Sequence, residues 1–214
     1  MPPLLVDGAP LEAVVLAGGR STRFGSDKAS ALLRGRPLLQ WVLSALEDVC
    51  CRVVVVRAAG QQLPDFESSI PVTVVEDRLP RQGPLAGLAA GFEAVRSPWT
   101  FVASCDGPLL APGLVELLGA QAHGHDVVWP SVGGYLQPLA AMYRVAACLP
   151  VFTAALARGE GRILDVCGSL NVFVAAESVV ATADPSLDSF RNVNRPESLV
   201  ELERILLERE RSAQ

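Results

Sequence analysis

Val14-Val15-Leu16-Ala17-Gly18-Gly19-Arg20-Ser21-Thr22-Arg23-Phe24-Gly25-Ser26-Asp27-Lys28 decides how this chain is read. It begins as an apolar, β-branched run and breaks into paired glycines. Gly18 and Gly19 permit positive φ and close backbone approach, so successive N–H groups can converge on an anion. Arg20, Arg23 and Lys28 add positive charge to the same loop. A strand feeding such a loop near the start of an α/β chain is a candidate phosphate cradle. It is neither of the two best-known ones. Lys28 is followed by Ala29, which excludes the Gly-Lys-Ser/Thr ending of a P-loop, and no Gly-x-Gly-x-x-Gly spacing is present. Among 18 basic residues Lys28 is the only lysine. A compact ammonium can sit between phosphate oxygens as a point charge, which a flat guanidinium does not reproduce; the alternative is a chance surface lysine.

Working outward, the pattern predicts buried strands at Leu11–Leu16, Val53–Val56, Val72–Val75, Trp99–Ala103, Asp126–Trp129, Leu139–Tyr143 and Asn171–Ala175. Helices are expected over Leu38–Val49, from Gly83-Pro84 onward, over Pro112–Ala122, over Val145–Arg158 with a kink at Pro150, and over Pro196–Arg209. Ala31–Leu38 reads as a hairpin-like excursion closed by Gly35. The alternation predicts an α/β three-layer sandwich with a mostly parallel sheet. In such sheets ligands bind at the carboxyl ends of the strands, so the loops after strands one, three and four should share a crevice.

The bulk properties narrow the function. A chain of 214 residues fits one domain, 1–214, with residues 1–10 expected as a loose tail. A net charge of −5 argues against a general nucleic-acid or anionic-membrane surface. The N-terminus has no basic, apolar leader, and the uncharged run Val127–Tyr143 is broken by proline and glycine, so neither a secretory signal nor a membrane span is expected. Five cysteines, Cys50, Cys51, Cys105, Cys148 and Cys167, include no Cys-x-x-Cys pair. Reduced thiols in a cytoplasmic protein are the expectation. Cys105 reads as a small apolar residue at a strand end rather than a nucleophile. His123 and His125 read as solvated loop residues.

Asp106 follows the fourth strand and precedes Gly107-Pro108. It is either a metal-binding carboxylate or a turn former. Asp77 ends the third strand, where it can accept from a nucleotide's base or ribose or simply solvate a loop. Gly83 and Gly87 allow either close approach of a ligand to a helix start or tight helix–sheet packing.

These segments together resemble the molybdenum cofactor guanylyltransferase family. The resemblance rests on Leu16-Ala17-Gly18-Gly19 with Arg23-Phe24-Gly25 and Asp27-Lys28, and on Asp77 followed by Gly83-Pro84-Leu85-Ala86-Gly87-Leu88. It continues through Ser104-Cys105-Asp106-Gly107-Pro108, Gln137-Pro138-Leu139, Gly159-Glu160-Gly161-Arg162 and Phe190-Arg191-Asn192-Val193-Asn194-Arg195-Pro196. It implies a Rossmann-like sheet of the nucleotidyltransferase type and transfer of GMP from GTP to the phosphate of molybdopterin, with Mg2+ as cofactor. By the same resemblance Leu16, Ala17, Gly18, Gly19, Lys28, Asp77, Gly83, Gly87 and Asp106 would bind the nucleotide, and Asp106 the metal. Lys28, Arg23 and Asp106 would carry catalysis. Gln137, Arg162, Asn192 and Asn194 would face the pterin, and transient contact with cofactor-insertion proteins is implied. For Asn192 and Asn194 the alternative is capping of the following helix. Three departures stand out. Val56-Arg57-Ala58 replaces a family asparagine after the second strand, Gln137-Pro138 replaces His-Pro, and Phe24 replaces methionine. A pterin cytidylyltransferase, a sugar- or isoprenoid-phosphate nucleotidyltransferase and a non-catalytic nucleotide-binding paralogue remain as alternatives.

Overall fold

The computed structural model describes residues 2–18, 28–77, 79 and 83–212. The chain opens with a small hairpin, β1 (Leu5–Val6) and β2 (Ala9–Pro10), and then enters the fully buried β3 (Glu12–Leu16). After Lys28 come a second hairpin, β4 (Leu32–Leu33) and β5 (Arg36–Pro37), and α1 (Leu38–Glu47). Next are β6 (Arg52–Ala58), β7 (Val72–Asp77), α2 (Pro84–Ala94), β8 (Trp99–Ser104) and α3 (Pro112–Ala120). The second half holds β9 (Val127–Val132), β10 (Tyr135–Leu136), β11 (Ala140–Arg144) and α4 (Val145–Ala157). It continues with α5 (Ile163–Val166), β12 (Val172–Ala175), α6 (Glu177–Val180) and α7 (Pro196–Ser212).

The main sheet runs β7-β6-β3-β8-β11-β9, with β10 and β12 both pairing onto β9. The pairs β7–β6, β6–β3, β3–β8 and β9–β12 are parallel; β11 runs antiparallel to both β8 and β9. The expected mostly parallel sheet is therefore present, with two reversed strands, β11 and the short β10, which runs antiparallel to β9. Residue-by-residue alternation along each strand splits the core into two layers. Ala13 and Val15 of β3 join Val53 and Val55 of β6 under α1 and α3, among them Leu39, Leu43 and Leu114. Val14, Leu16, Val54 and Val56 face the other way, onto Leu85, Leu88 and Phe92 of α2 and Phe152 of α4. This is the three-layer sandwich.

The start of the chain departs from the expectation of a loose tail. Asp7 (φ 49°) and Gly8 (φ 80°) supply the two left-handed residues of a tight hairpin turn. Leu4 N–H donates to Val49 O at 2.8 Å, Val6 is buried, and the Trp99 indole donates to Asp7 at 2.8 Å. The hairpin thus closes the bottom of the α1/α3 layer. The Ala31–Leu38 hairpin is found as expected, turning on Arg34 and Gly35, both at positive φ.

Going outward from β3, the chain passes to β6 and β7 on one side, then crosses over to β8 on the other. The strand order reverses between β3 and β8, whose ends are level at the pair Leu16↔Ser104. A crevice opens there, at the carboxyl ends of the parallel strands.

Candidate active site at the switch point

Lys28 and Asp106 meet in that crevice. Lys28 Nζ lies 3.0 Å from Asp106 Oδ2 and also donates to Asn194 Oδ1 at 3.1 Å. Their side chains are 22% and 17% exposed, so the pair is sheltered yet reachable from solvent. Each partner arrives from a different segment: Lys28 from the short 3-10 turn before β4, Asp106 from the turn after β8, and Asn194 from the segment before α7.

Asp106 is fixed through its main chain. Gly107 N–H donates back to Ser104 O at 3.2 Å, and Val193 N–H donates to Asp106 O at 2.8 Å. That second bond sets Asn192 and Asn194 beside the carboxylate. The Asn192 side-chain oxygen sits 3.3 Å from where a Cβ on Gly107 would stand, so a larger residue at 107 would displace it. The segment leading to Asn192 is held by two buried carboxylates. Asp184 accepts from the N–H groups of Asp188 and Ser189, and Asp188 accepts from Arg191 at 2.6 Å and from Arg209 of α7 at 2.7 Å. Asn192 and Asn194 are thus placed from outside.

A cavity of about 110 Å³ lies against this group, lined by Ser104, Asp106, Gly107, Gln137, Phe190 and Asn192, among others. Gln137 reaches it from the β10–β11 turn. Its N–H donates to Pro130 O, and the adjoining Pro138 carbonyl accepts the hydroxyl of buried Tyr143 at 2.7 Å. Gln137 and Asn192 therefore line one cavity with Asp106.

The residues expected on the nucleotide side are less simply arranged. Leu16 O accepts from Cys105 N–H, and the N–H groups of Ala17 and Gly18 both donate to Val56 O, at 2.8 and 3.1 Å. These amides are engaged with the neighbouring strand. A Cβ on Gly18 would lie 2.7 Å from Ala58 N, so glycine is required here by close packing of one strand end on the next. Gly87 is likewise a packing glycine, its missing Cβ facing Leu16 Cδ2 at 3.1 Å. Asp77 Oδ1 accepts Leu79 N–H at 2.9 Å. Gly83, at φ 71°, starts α2 without a side-chain cap and lies beside the Gly161 carbonyl. Arg162 is exposed, precedes α5 and pairs with Asp165 at 3.7 Å, with no hydrogen bond to Asn192 or Asn194 among the described residues. Gly19 and Arg23 lie outside the described residues. Arg57, in the segment after the second predicted strand that departs from the family pattern, turns its guanidinium to Glu76 and to Gln61 O.

The other candidates resolve as structural. No cysteine is in a disulfide; Cys105 is buried, and burial pushes the Cys167 thiol up to about 12. His125 hydrogen-bonds Gln121 O and packs on Phe173, and His123 meets Asp7. Among the described residues no cluster of three His, Cys, Asp or Glu side chains could hold a metal unaided. Magnesium asks less: one or two carboxylates, with substrate phosphates and waters completing the shell. Asp106, half-sheltered and bordering a cavity, fits that demand.

Residues 13–172 match the model of the MobA-like NTP transferase domain. A Deinococcus radiodurans protein is 37% identical over 90% of this chain and 94% of its own length, and a Chloroflexus aggregans protein is 32% identical over 88% and 91%. Both are named "Probable molybdenum cofactor guanylyltransferase". Molybdopterin-guanine dinucleotide biosynthesis protein A from Archaeoglobus fulgidus superposes with a TM-score of 0.76 at 25% identity, over 92% of this chain and 99% of that one. 2-C-methyl-D-erythritol 4-phosphate cytidylyltransferase from Thermus thermophilus shares the fold at a TM-score of 0.68 and 20% identity, over 90% and 97%. With the level strand ends, the Lys28–Asp106 pair and the family match all on one sheet, this chain belongs to the MobA-like NTP transferase family.

Proposed function

We propose that the protein, acting as one unit over residues 1–214 in the cytoplasm, transfers GMP from GTP to the terminal phosphate of molybdopterin and releases pyrophosphate. The observation that carries this reading is the position of Lys28 Nζ, between Asp106 Oδ2 and Asn194 Oδ1 at the switch point. An acceptor phosphate oxygen attacks the donor's α-phosphorus, and the bond to the β-phosphate breaks. Both reactants are anions, so catalysis is mostly alignment and charge neutralisation. Lys28 supplies a mobile point charge to the triphosphate. Asp106 would hold magnesium, which when bound neutralises phosphate charge. Asn192, Asn194 and Gln137 offer amide donors and acceptors suited to a polar pterin, while Leu16, Ala17, Gly18 and Asp77 shape the nucleotide side. Arg23, Gly19, Gly83 and Arg162 complete the proposed set as phosphate- and pterin-side contacts.

A thermal-unfolding panel with GTP, CTP, ATP and UTP, with and without magnesium, tests the donor. Stabilisation specific to GTP plus magnesium is expected, about 2.7 kcal/mol at a hundredfold excess over Kd. Asp106→Ala should fold normally, lose the magnesium-dependent part and release no pyrophosphate with a molybdopterin acceptor. Equal protection by all four nucleotides, or full turnover by Asp106→Ala, would overturn the assignment.

A further inference from the structure

Leu16↔Val56 is the last backbone pair between β3 and β6. Ala17 O and Ala58 N would be the next ladder groups. A buried backbone group left without a partner costs as much as a lost hydrogen bond. Both are satisfied by one side chain. Gln61 Oε1 accepts Ala58 N–H at 2.8 Å, and Gln61 Nε2 donates to Ala17 O at 2.9 Å. The carboxamide stands in for a peptide unit, extending the ladder by one rung. Gln61 is itself aimed by a tight turn, its N–H donating to Ala58 O at 3.0 Å across Gly60 at φ 73°. The neighbour of Ala17 is Gly18, which presses on Ala58 N with no room for a Cβ.

We propose that Gln61 is a positioning residue for nucleotide binding: its carboxamide staples the carboxyl ends of β3 and β6 and so sets the entry of the phosphate cradle. This rests on the reading of the Gly18-Gly19 loop as the donor's cradle. Gln61 acts through Ala17 and Gly18, so it controls affinity for the donor and leaves the Asp106–Asn192 side alone.

Gln61→Glu separates this role from simple support. The introduced carboxylate still accepts from Ala58 N–H but opposes the Ala17 carbonyl. At pH 8 the KM for GTP should rise about tenfold, the size of one disrupted buried hydrogen bond. The KM for the pterin acceptor should stay within about twofold, since that side makes no use of the staple. Lowering the pH protonates the new carboxyl and restores a donor to Ala17 O, so the gap to the wild type should close toward pH 5. Gln61→Met, which removes both bonds, should show the same rise without acid rescue, and it carries the test if Gln61→Glu does not fold. Unchanged KM for GTP in either variant, or parallel losses for both substrates at every pH, overturns the proposal. A wild-type protein indifferent to GTP overturns the donor reading itself, a distinct result.

Discussion

At the scale of single residues, the ammonium of Lys28 is shared between a carboxylate and a carboxamide. A partly exposed ion pair of this kind contributes about 1 kcal/mol or less to stability, because desolvation offsets most of the attraction. A triphosphate carrying several charges can therefore draw the lysine away at little cost. Arginine at 28 would keep the charge but not the shape: a planar fork fixes its donors in one plane and does not reproduce a compact point charge between Asp106 Oδ2 and Asn194 Oδ1. Lys28→Arg should lower kcat/KM about a hundredfold, in the range of losing one well-placed electrostatic group, while the unfolding temperature moves by no more than about 4 °C. Steady-state pyrophosphate release alongside a melting curve checks both halves. A near-normal rate would mean that net charge alone matters at this position.

At the scale of elements, α2 shows why glycine matters on the sheet. A Cβ on Gly91 would stand 2.6 Å from Val14 Cγ1 and 3.0 Å from Val56 Cγ2, both on fully packed strands. Alanine there gains up to about 1 kcal/mol of helix propensity but overpacks the core at a cost of about 1–3 kcal/mol, so Gly91→Ala should destabilise. In α3, Gly113 has ordinary contact only, 3.4 Å to Ala183 O, and Gly113→Ala should be neutral or stabilising by a few tenths of a kcal/mol. Urea titration of the two variants should give opposite signs. Elements of this kind were largely legible in the sequence, because unbroken runs such as Val53–Val56 leave little choice but a buried strand, and Pro84 and Pro112 mark helix starts. The first hairpin was missed, because residues 1–10 read as a loose tail, although Asp7-Gly8 is a dipeptide suited to a tight turn between short apolar runs. The reversal of β11 was not legible either, since period and composition carry no direction. Asp106 announced itself by residue type next to a strand end, and Lys28 as the one lysine of the chain. Gln61 did not, because its partners, Ala17 and Ala58, offer only main-chain groups, and a carboxamide filling a ladder is defined by the pairing of β3 with β6 alone.

At the scale of the whole molecule, the site is fastened from beneath by a third, small core. Leu33 and Leu38 follow Lys28, Leu109 follows Asp106, Val193 lies between Asn192 and Asn194, and Leu202 of α7 closes the cluster. Each apolar residue thus anchors a segment that carries one polar member of the site. The two large layers of the sandwich hold the sheet together without it. Loosening this cluster should therefore harm the site before it harms the fold. Leu202 is 2% exposed, and Leu202→Ala removes three carbons from a closed environment, which costs about 2–5 kcal/mol where a cavity remains. Because the loss falls on one subsidiary cluster, local opening of α7 and the 193–194 segment becomes accessible well below global unfolding. The expected result is a fall in activity with temperature that precedes the loss of far-ultraviolet circular dichroism, whereas the wild type should lose both together. The KM values for both substrates should rise in the warm range, since Lys28, Asp106 and Asn194 lose their common anchor at once. If activity and ellipticity of Leu202→Ala still decline in step, the small core is part of one cooperative unit with the sheet, and α7 has no separate hold on the site.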